Sequence, residues 1–194
     1  EIDGYPHWSG AVPGDIKFKD INNDGKINAD DQMRRDKNAE PRFVGGFNVN
    51  LRYKNWDMMA LFQGALGAET YIQTWSGTVG NYLKDFYDKR WTAENPTVEH
   101  PRAYERENQY WISNRSTYFI RSCDYVRLKN LEVGYNFTVP ALKTAGISAL
   151  RMYVNASNIF TIDKLKVADP EADDKDITSY PQRRVVNFGV SLTF

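Results

Sequence analysis

Strict two-residue alternation recurs along this chain and constrains its fold more than any other feature. In RFVGGFNVNLRY, Phe43, Gly45, Phe47, Val49, Leu51 and Tyr53 fall on one side, with Arg42, Asn48, Asn50 and Arg52 among those on the other. Successive side chains of a strand point to opposite faces, so this spacing predicts a strand with one apolar and one polar face. Lys54-Asn55 reads as a tight hairpin turn, after which WDMMALFQ returns with Trp56, Met58, Ala60 and Phe62 in phase. ALRMYVNASNIFTI places Leu150, Met152, Val154, Ala156, Phe160 and Ile162 together. NFGVSLTF alternates to the last residue, with Phe188, Val190, Leu192 and Phe194 opposite Asn187, Gly189, Ser191 and Thr193. Termini usually fray into loose polar residues; this one does not.

One strand carries a flaw. In YVRLKNLEVGYNF, Val126 and Leu128 share one phase, whereas Leu131, Val133, Tyr135 and Phe137 share the other. A slip at Lys129-Asn130 predicts a β-bulge, or a strand whose upper part stands outside the apolar zone. NYLKDFYDKRW reads as a short helix, and TVPALKTAGIS as a turn with one helical turn.

The connections alternate in length. Residues 1–41 read as loop, with Pro13-Gly14, Asn23-Asp24-Gly25 and Pro41; 42–63 form a hairpin; 64–124 is a long polar loop; 125–194 hold the remaining strands around the loop 163–182. Long loops at one end and short turns at the other is the organisation of an outer-membrane barrel. A β-sandwich also alternates, but five strands supply no second sheet to cover the apolar face.

Other classes drop out on composition. Net charge is zero and the pI is near 7.0, with no Lys/Arg cluster beyond Arg34-Arg35 and Arg183-Arg184, so no nucleic-acid footprint is present. A single cysteine, Cys123, excludes an internal disulfide framework and a cysteine-rich zinc site. No apolar run approaches the roughly 20 residues of a membrane helix, which leaves a transmembrane barrel open. The opening EIDGYPHWSG is polar and turn-rich rather than a signal peptide, as in a mature product or a proteolytic piece. His7 and His100 are isolated, and no Ser-His-Asp set, paired-carboxylate motif or phosphate loop occurs, so the reading is that the chain is not an enzyme.

The sharpest local motif is DINNDGKINADD, Asp20 to Asp31. Side-chain oxygens fall at positions 1, 3, 5 and 9 (Asp20, Asn22, Asp24, Asn28), Gly25 occupies the sharp turn at 6, Lys26 offers a carbonyl at 7, and Asp31 closes the loop at 12. That spacing suits calcium in a static, stiffening role. Asp replaces the bidentate Glu at position 12, and no helix precedes the loop; an Asx-rich turn without an ion is the plainer alternative. Asp169, Glu171, Asp173 and Asp174 read as a solvated acidic loop rather than a second cation site. Arg183 and Arg184 read as a solvated outer rim, with Arg184 within reach of lipid phosphates.

Four stretches carry a resemblance to a known family: PGDIKFKDINNDGKINADD; RWTAENP with HPRAY close behind; YVRLKNLEVGYNF followed by VPALKTAGISALRMYVNASNIFTI; and YPQRRVVNFGVSLTF. In order and over essentially the whole chain, they resemble the C-terminal part of a SusC/RagA-type TonB-dependent transporter of the Bacteroidetes outer membrane. The resemblance implies an all-β fold, the last five or so antiparallel strands of a large plugged transmembrane β-barrel with long extracellular loops. It implies import of glycans or other oligomeric nutrients with a surface lipoprotein lid of the SusD type. TonB would act through an N-terminal part absent from this chain. It further implies that Phe188, Val190, Leu192 and Phe194 form the terminal signal read by the barrel-assembly machinery, while facing outer-membrane lipid. Trp75, Tyr82, Trp91 and Trp111 are the candidates for substrate contact, since aromatic faces stack on sugar rings; loop-to-loop packing is the commoner use of such residues. Two rivals stand beside this reading. One is a soluble, secreted, calcium-stiffened β-domain that binds carbohydrate, whose apolar strand faces would pack inward. The other is a dockerin-like module, which normally needs two such loops flanked by helices.

Overall fold

The computed structural model describes residues 4–72, 84–96, 99–103, 115–138, 140–144, 146–172 and 180–194. The chain divides into two compact units: Glu1–Asp36 with Tyr71–Ile120, and Lys37–Thr70 with Arg121–Phe194.

The second unit is an antiparallel sheet. Its strands are β1 (Phe43–Tyr53), β2 (Trp56–Leu66), β5 (Tyr125–Phe137), β6 (Ala149–Asp163) and β7 (Val185–Thr193), in the order β1-β2-β5-β6-β7. Two short strands, β3 (Glu69–Tyr71) and β4 (Ile120–Ser122), pair separately. The first unit holds helix α1 (Lys84–Lys89), and a one-turn helix α2 (Pro140–Thr144) bridges β5 to β6. Among the described residues no helix is long and apolar enough to cross a membrane.

The register aligns apolar residues into rows across the sheet. Leu51 pairs with Met58, Met58 with Val133, Val133 with Val154 and Val154 with Phe188. The next row runs Tyr53, Trp56, Tyr135, Met152 and Val190, and the Trp56 and Tyr135 rings meet edge to face at 4.9 Å. Each such cross-strand pair contributes on the order of 0.2–1 kcal/mol. Phe43, Phe47, Leu51, Tyr53, Trp56, Val126, Met152, Val154, Ile162, Phe188, Val190 and Leu192 on this face are all exposed. An inward-packing soluble β-domain would bury them, so the sheet matches the wall of a barrel.

The flaw in β5 is the expected bulge. Leu61 pairs with Asn130 but Phe62 with Leu128, leaving Lys129 as one extra residue relative to β2. On the other side, Asn130 pairs with Ser157 and Leu128 with Phe160, so β6 carries one more extra residue than β5. An odd insertion flips the faces and an even one does not. Relative to β2, β5 gains one residue and changes phase, while β6 gains two and keeps its phase. Both halves of every strand therefore present apolar residues to the same side. Asn158, inside the β6 irregularity, has φ +52°, a left-handed conformation that Asn tolerates better than most residues.

Both ends of the sheet are tied. At the short-turn end, the Asn136 N–H donates to the Asn55 carbonyl at 2.8 Å, and the Ser148 N–H and hydroxyl donate to the Thr193 carbonyl at 2.7 and 3.0 Å. At the long-loop end, Asp124 accepts from the Gly67 N–H at 2.6 Å and from Lys164 Nζ at 3.2 Å, joining the ends of β2, β5 and β6. The Gly67 N–H, ahead of the Lys164 ammonium, holds the Asp124 carboxyl below the usual carboxylate range.

On the polar face Gly189 pairs with Tyr153, whose ring lies against it; a Cβ there would come 2.2 Å from that ring. Gly189→Ala should displace Tyr153 and destabilise the terminal strand by about 1–3 kcal/mol. The temperature at which the folded, heat-resistant band of the intact protein is lost in SDS gels should fall, whereas Ser191→Ala should leave it unchanged.

Candidate functional site

Opposite the apolar rows, the sheet carries charge. Asp57, Glu132 and Arg151 come from three neighbouring strands, β2, β5 and β6, at positions whose neighbours in sequence face the apolar side. Arg151 makes an ion pair with Asp57 that includes a 3.1 Å bond from its Nε, and reaches Glu132 at 2.8 Å. Asn136 donates to Asp57 at 2.8 Å, and Asn155 to Glu132 at 3.3 Å. One guanidinium thus bridges two carboxylates across three strands, and two amides satisfy remaining lone pairs.

Nearer the long-loop end is a second cluster, which is more deeply buried. Arg127 is 3% and Asp169 6% exposed. Arg127 donates to Asp169 at 2.7 Å, to Thr161 at 2.7 Å and to Glu171. Glu171 also accepts from Lys129 at 2.9 Å and from the Tyr125 hydroxyl at 2.9 Å, while Asp169 accepts from the Gln182 N–H at 2.8 Å. The solvated-loop reading is therefore corrected for Asp169 and Glu171: they neutralise a buried arginine. Asp173 and Asp174 lie outside the described residues.

Burial pushes the Asp169 carboxyl up, but the Arg127 guanidinium and the N–H groups of Gln182 and Glu171 outweigh it, and the net direction is down. Because the folded value is depressed, the stabilisation is present above the ordinary value near 3.9 and is lost only as pH falls through the lower folded value.

In the first unit, two stretches far apart in sequence meet. Gly14 has φ +88°, and a Cβ on it would lie 2.4 Å from the Trp91 ring. Asp15, whose side chain is buried, accepts from Arg102 Nε at 2.6 Å and from the Val12 N–H at 2.9 Å. The Arg102 N–H donates to the Gly14 carbonyl at 2.8 Å, and the Trp91 N–H to the His100 carbonyl at 3.0 Å. The Pro-Gly-Asp, Arg-Trp and His-Pro-Arg stretches are thus one packed junction, and Trp91 has one face committed to Gly14. His100 also meets the Tyr118 hydroxyl at 2.6 Å and Asp85 at 3.1 Å. Phe119 packs against Ile16, Tyr71 and Tyr118. Trp75, Tyr82 and Trp111 lie outside the described residues.

The Asp20–Asp31 loop is organised by its own amides. Asp20 accepts from the Asn23 and Gly25 N–H groups at 2.6 and 2.8 Å, Asn22 from Asp24 at 3.0 Å, and Asp24 from Lys26 at 2.8 Å. Asn28 caps a 3-10 turn at Ala29–Asp31, and Asp31 closes back on the Asn28 and Ile21 N–H groups at 2.9 and 2.8 Å. Those N–H bonds, led by Asn28, lower the Asp31 carboxyl. Ile27 is buried beneath the loop. Among the described residues no group of three or more His, Cys, Asp or Glu side chains converges as a metal cage. Lys26 enters this loop through its N–H, which donates to Asp24. The distal residues Phe188, Val190, Leu192 and Phe194 are exposed, the first three on the apolar face of β7 and Phe194 just beyond it.

No family model matches the chain. TonB-dependent receptor P3 of Formosa agariphila is 34% identical over 200 residues, 94% of this chain and 19% of that protein. TonB-dependent receptor P26 of the same organism is 29% identical over 211 residues, covering all of this chain and 21% of that protein. The TonB-dependent receptor SusC of Bacteroides thetaiotaomicron is 25% identical over 94% of this chain and 18% of its own length. The RagAB peptide transporter superposes with a TM-score of 0.67 at 25% identity, over 88% of this chain and 19% of the matched one. The chain spans about a fifth of the length of these relatives.

A spin label at Lys166→Cys, beside the Asp169 cluster, should keep one mobility from pH 7 down to about 4. It should loosen only at lower pH, once Asp169 protonates on Arg127.

In sequence and in fold, this chain is similar over nearly its whole length to a segment of the SusC/RagA-type TonB-dependent receptors, and its sheet is a segment of an outer-membrane β-barrel wall.

Proposed function

We propose that the chain forms the C-terminal wall of a TonB-dependent importer of oligomeric nutrients, with glycans as the cargo class. It works with a surface lipoprotein lid of the SusD type, and TonB acts through a segment outside this chain. One observation carries the reading: five antiparallel strands expose a continuous apolar face and keep their ion pairs on the other. Lipid accepts the first face, since the strands pair with one another in register along the sheet on both sides of the irregularities; a water-filled lumen suits the second. In this role the chain does no covalent chemistry. Peptide is the second cargo reading, favoured by the similarity to the RagAB peptide transporter.

The apolar series Phe188, Val190 and Leu192, with Phe194 beyond it, serves in this reading as the recognition strand for the barrel-assembly machinery. The Asp20–Asp31 loop is proposed to hold calcium. Each carboxylate oxygen has a second lone pair beyond the N–H bond it accepts, so the turn and an ion are compatible.

The native protein carrying this chain should fractionate with the outer membrane and need detergent to extract. A water-soluble native protein would overturn the importer reading. Cells lacking it should lose growth on a glycan mixture and keep growth on a peptide mixture; the reverse result selects peptide. For the loop, chelation should speed tryptic cutting at Lys19 or Lys26 in the parent protein, and calcium should reverse it. In Asp20→Ala the cutting should be fast and indifferent to calcium.

A further inference from the structure

The connection from β6 to β7 does not simply extend outward. A chain can travel roughly 3.3 Å per residue, so six residues beyond the end of β6 Asp169 could stand well clear of the sheet. Instead it bonds Arg127 at 2.7 Å, and Arg127 pairs with Thr161, two residues inside the strand end. The chain has therefore doubled back over the charged face. Leu165 is fully buried in this course, and Gln182, on the return leg, is held by Asp169 through its N–H and by Lys129 through its side chain. Both legs are tied to one buried cluster.

We infer that Arg127 is a positioning residue that latches the two described legs of the β6–β7 connection, residues 164–172 and 180–184, down as a strap on the lumen side of the barrel. Strap and strand face together wall a cleft of about 410 Å³, lined by Arg127, Thr161, Lys166, Asp169, Gln182 and Arg184. The cleft then has fixed walls at the outer mouth, where a free loop would sweep it. The energetics favour release once the cation is removed. Without Arg127, Asp169 would be a buried carboxylate with no counter-ion, and Glu171 would keep Lys129 as its one cation beside the Tyr125 hydroxyl. Leaving a buried charge unpaired is far more costly than losing a surface pair. The carboxylates then regain water by lifting the strap, while the ladder of the sheet, which does not depend on them, stays paired. The inference rests on the importer reading, because that reading makes the charged face the lumen and the long-loop end the outside.

The test is tryptic cutting of the full-length protein on intact cells, read at Lys164, Lys166, Arg183 and Arg184. Arg127→Gln should be cut about tenfold faster than the parent or more, since cutting follows the population of the open strap. Arg127→Lys keeps one charge but not the forked geometry, and should restore protection in part. Retention of the heat-resistant band shows that the barrel has formed. Should Arg127→Gln fail to form it, Asp169→Asn combined with Glu171→Gln addresses the same latch from the strap side. Equal cutting of parent and variants on intact cells, with the band retained, overturns the latch and leaves the importer reading standing. Cutting seen only after the outer membrane is opened overturns the outward placement of the strap, and the importer reading with it.

Discussion

Strand register is the constraint on which everything else in this chain depends. In a bilayer an unpaired peptide group has no water to turn to, so each strand must pair along its length with its neighbours. The same strand must send one set of side chains to lipid and the other to the lumen, and a shift of one residue exchanges them. The sheet meets both demands through counted irregularities. Lys129 adds one residue to β5, and the Asn158–Ile159 region adds another to β6. Above and below these points Leu128 and Leu131, or Ala156 and Phe160, still share a face.

The charged face follows from the same register. Arg151 meets Asp57 and Glu132 by reaching diagonally over Gly134, which the register places opposite Asp57 and whose missing side chain leaves room for the guanidinium, while Arg127 lies directly opposite Thr161. Polar networks of this kind are stable only when nearly every group is satisfied. Here amides of Asn136, Asn155 and Gln182 complete the acceptors that the guanidinium groups leave open.

The sheet was legible in the sequence because alternation is a local signal. The Lys54-Asn55 turn, the helix within 84–89 and the break at Lys129 each leave a trace within a few residues. The extra residues in β6 were not legible, since an even offset preserves parity and the apolar pattern runs through unbroken. Asp169 and Glu171 read as a solvated acidic run because their partner, Arg127, is 42 and 44 residues away. Asp15 and Arg102 are separated by 87 residues, and no pattern on either side announces the pair. Of the aromatic candidates, Trp91 has a described setting, against Gly14. The cation at the Asp20–Asp31 loop was a reading of spacing, and the fold adds the amide bonds that shape the loop without naming an ion.

The junction of Gly14, Asp15, Trp91 and Arg102 bears on how such proteins diversify. Its members come from two separate excursions of the chain, one before β1 and one between β2 and β5. A recombination event that exchanged only one excursion between relatives would bring a foreign surface against Trp91 or strand Asp15 without its arginine. A point change at an exposed position would leave the junction intact, whereas wholesale replacement would have to move both excursions together. On this geometry the two would be exchanged as a single cassette that is discontinuous in the gene.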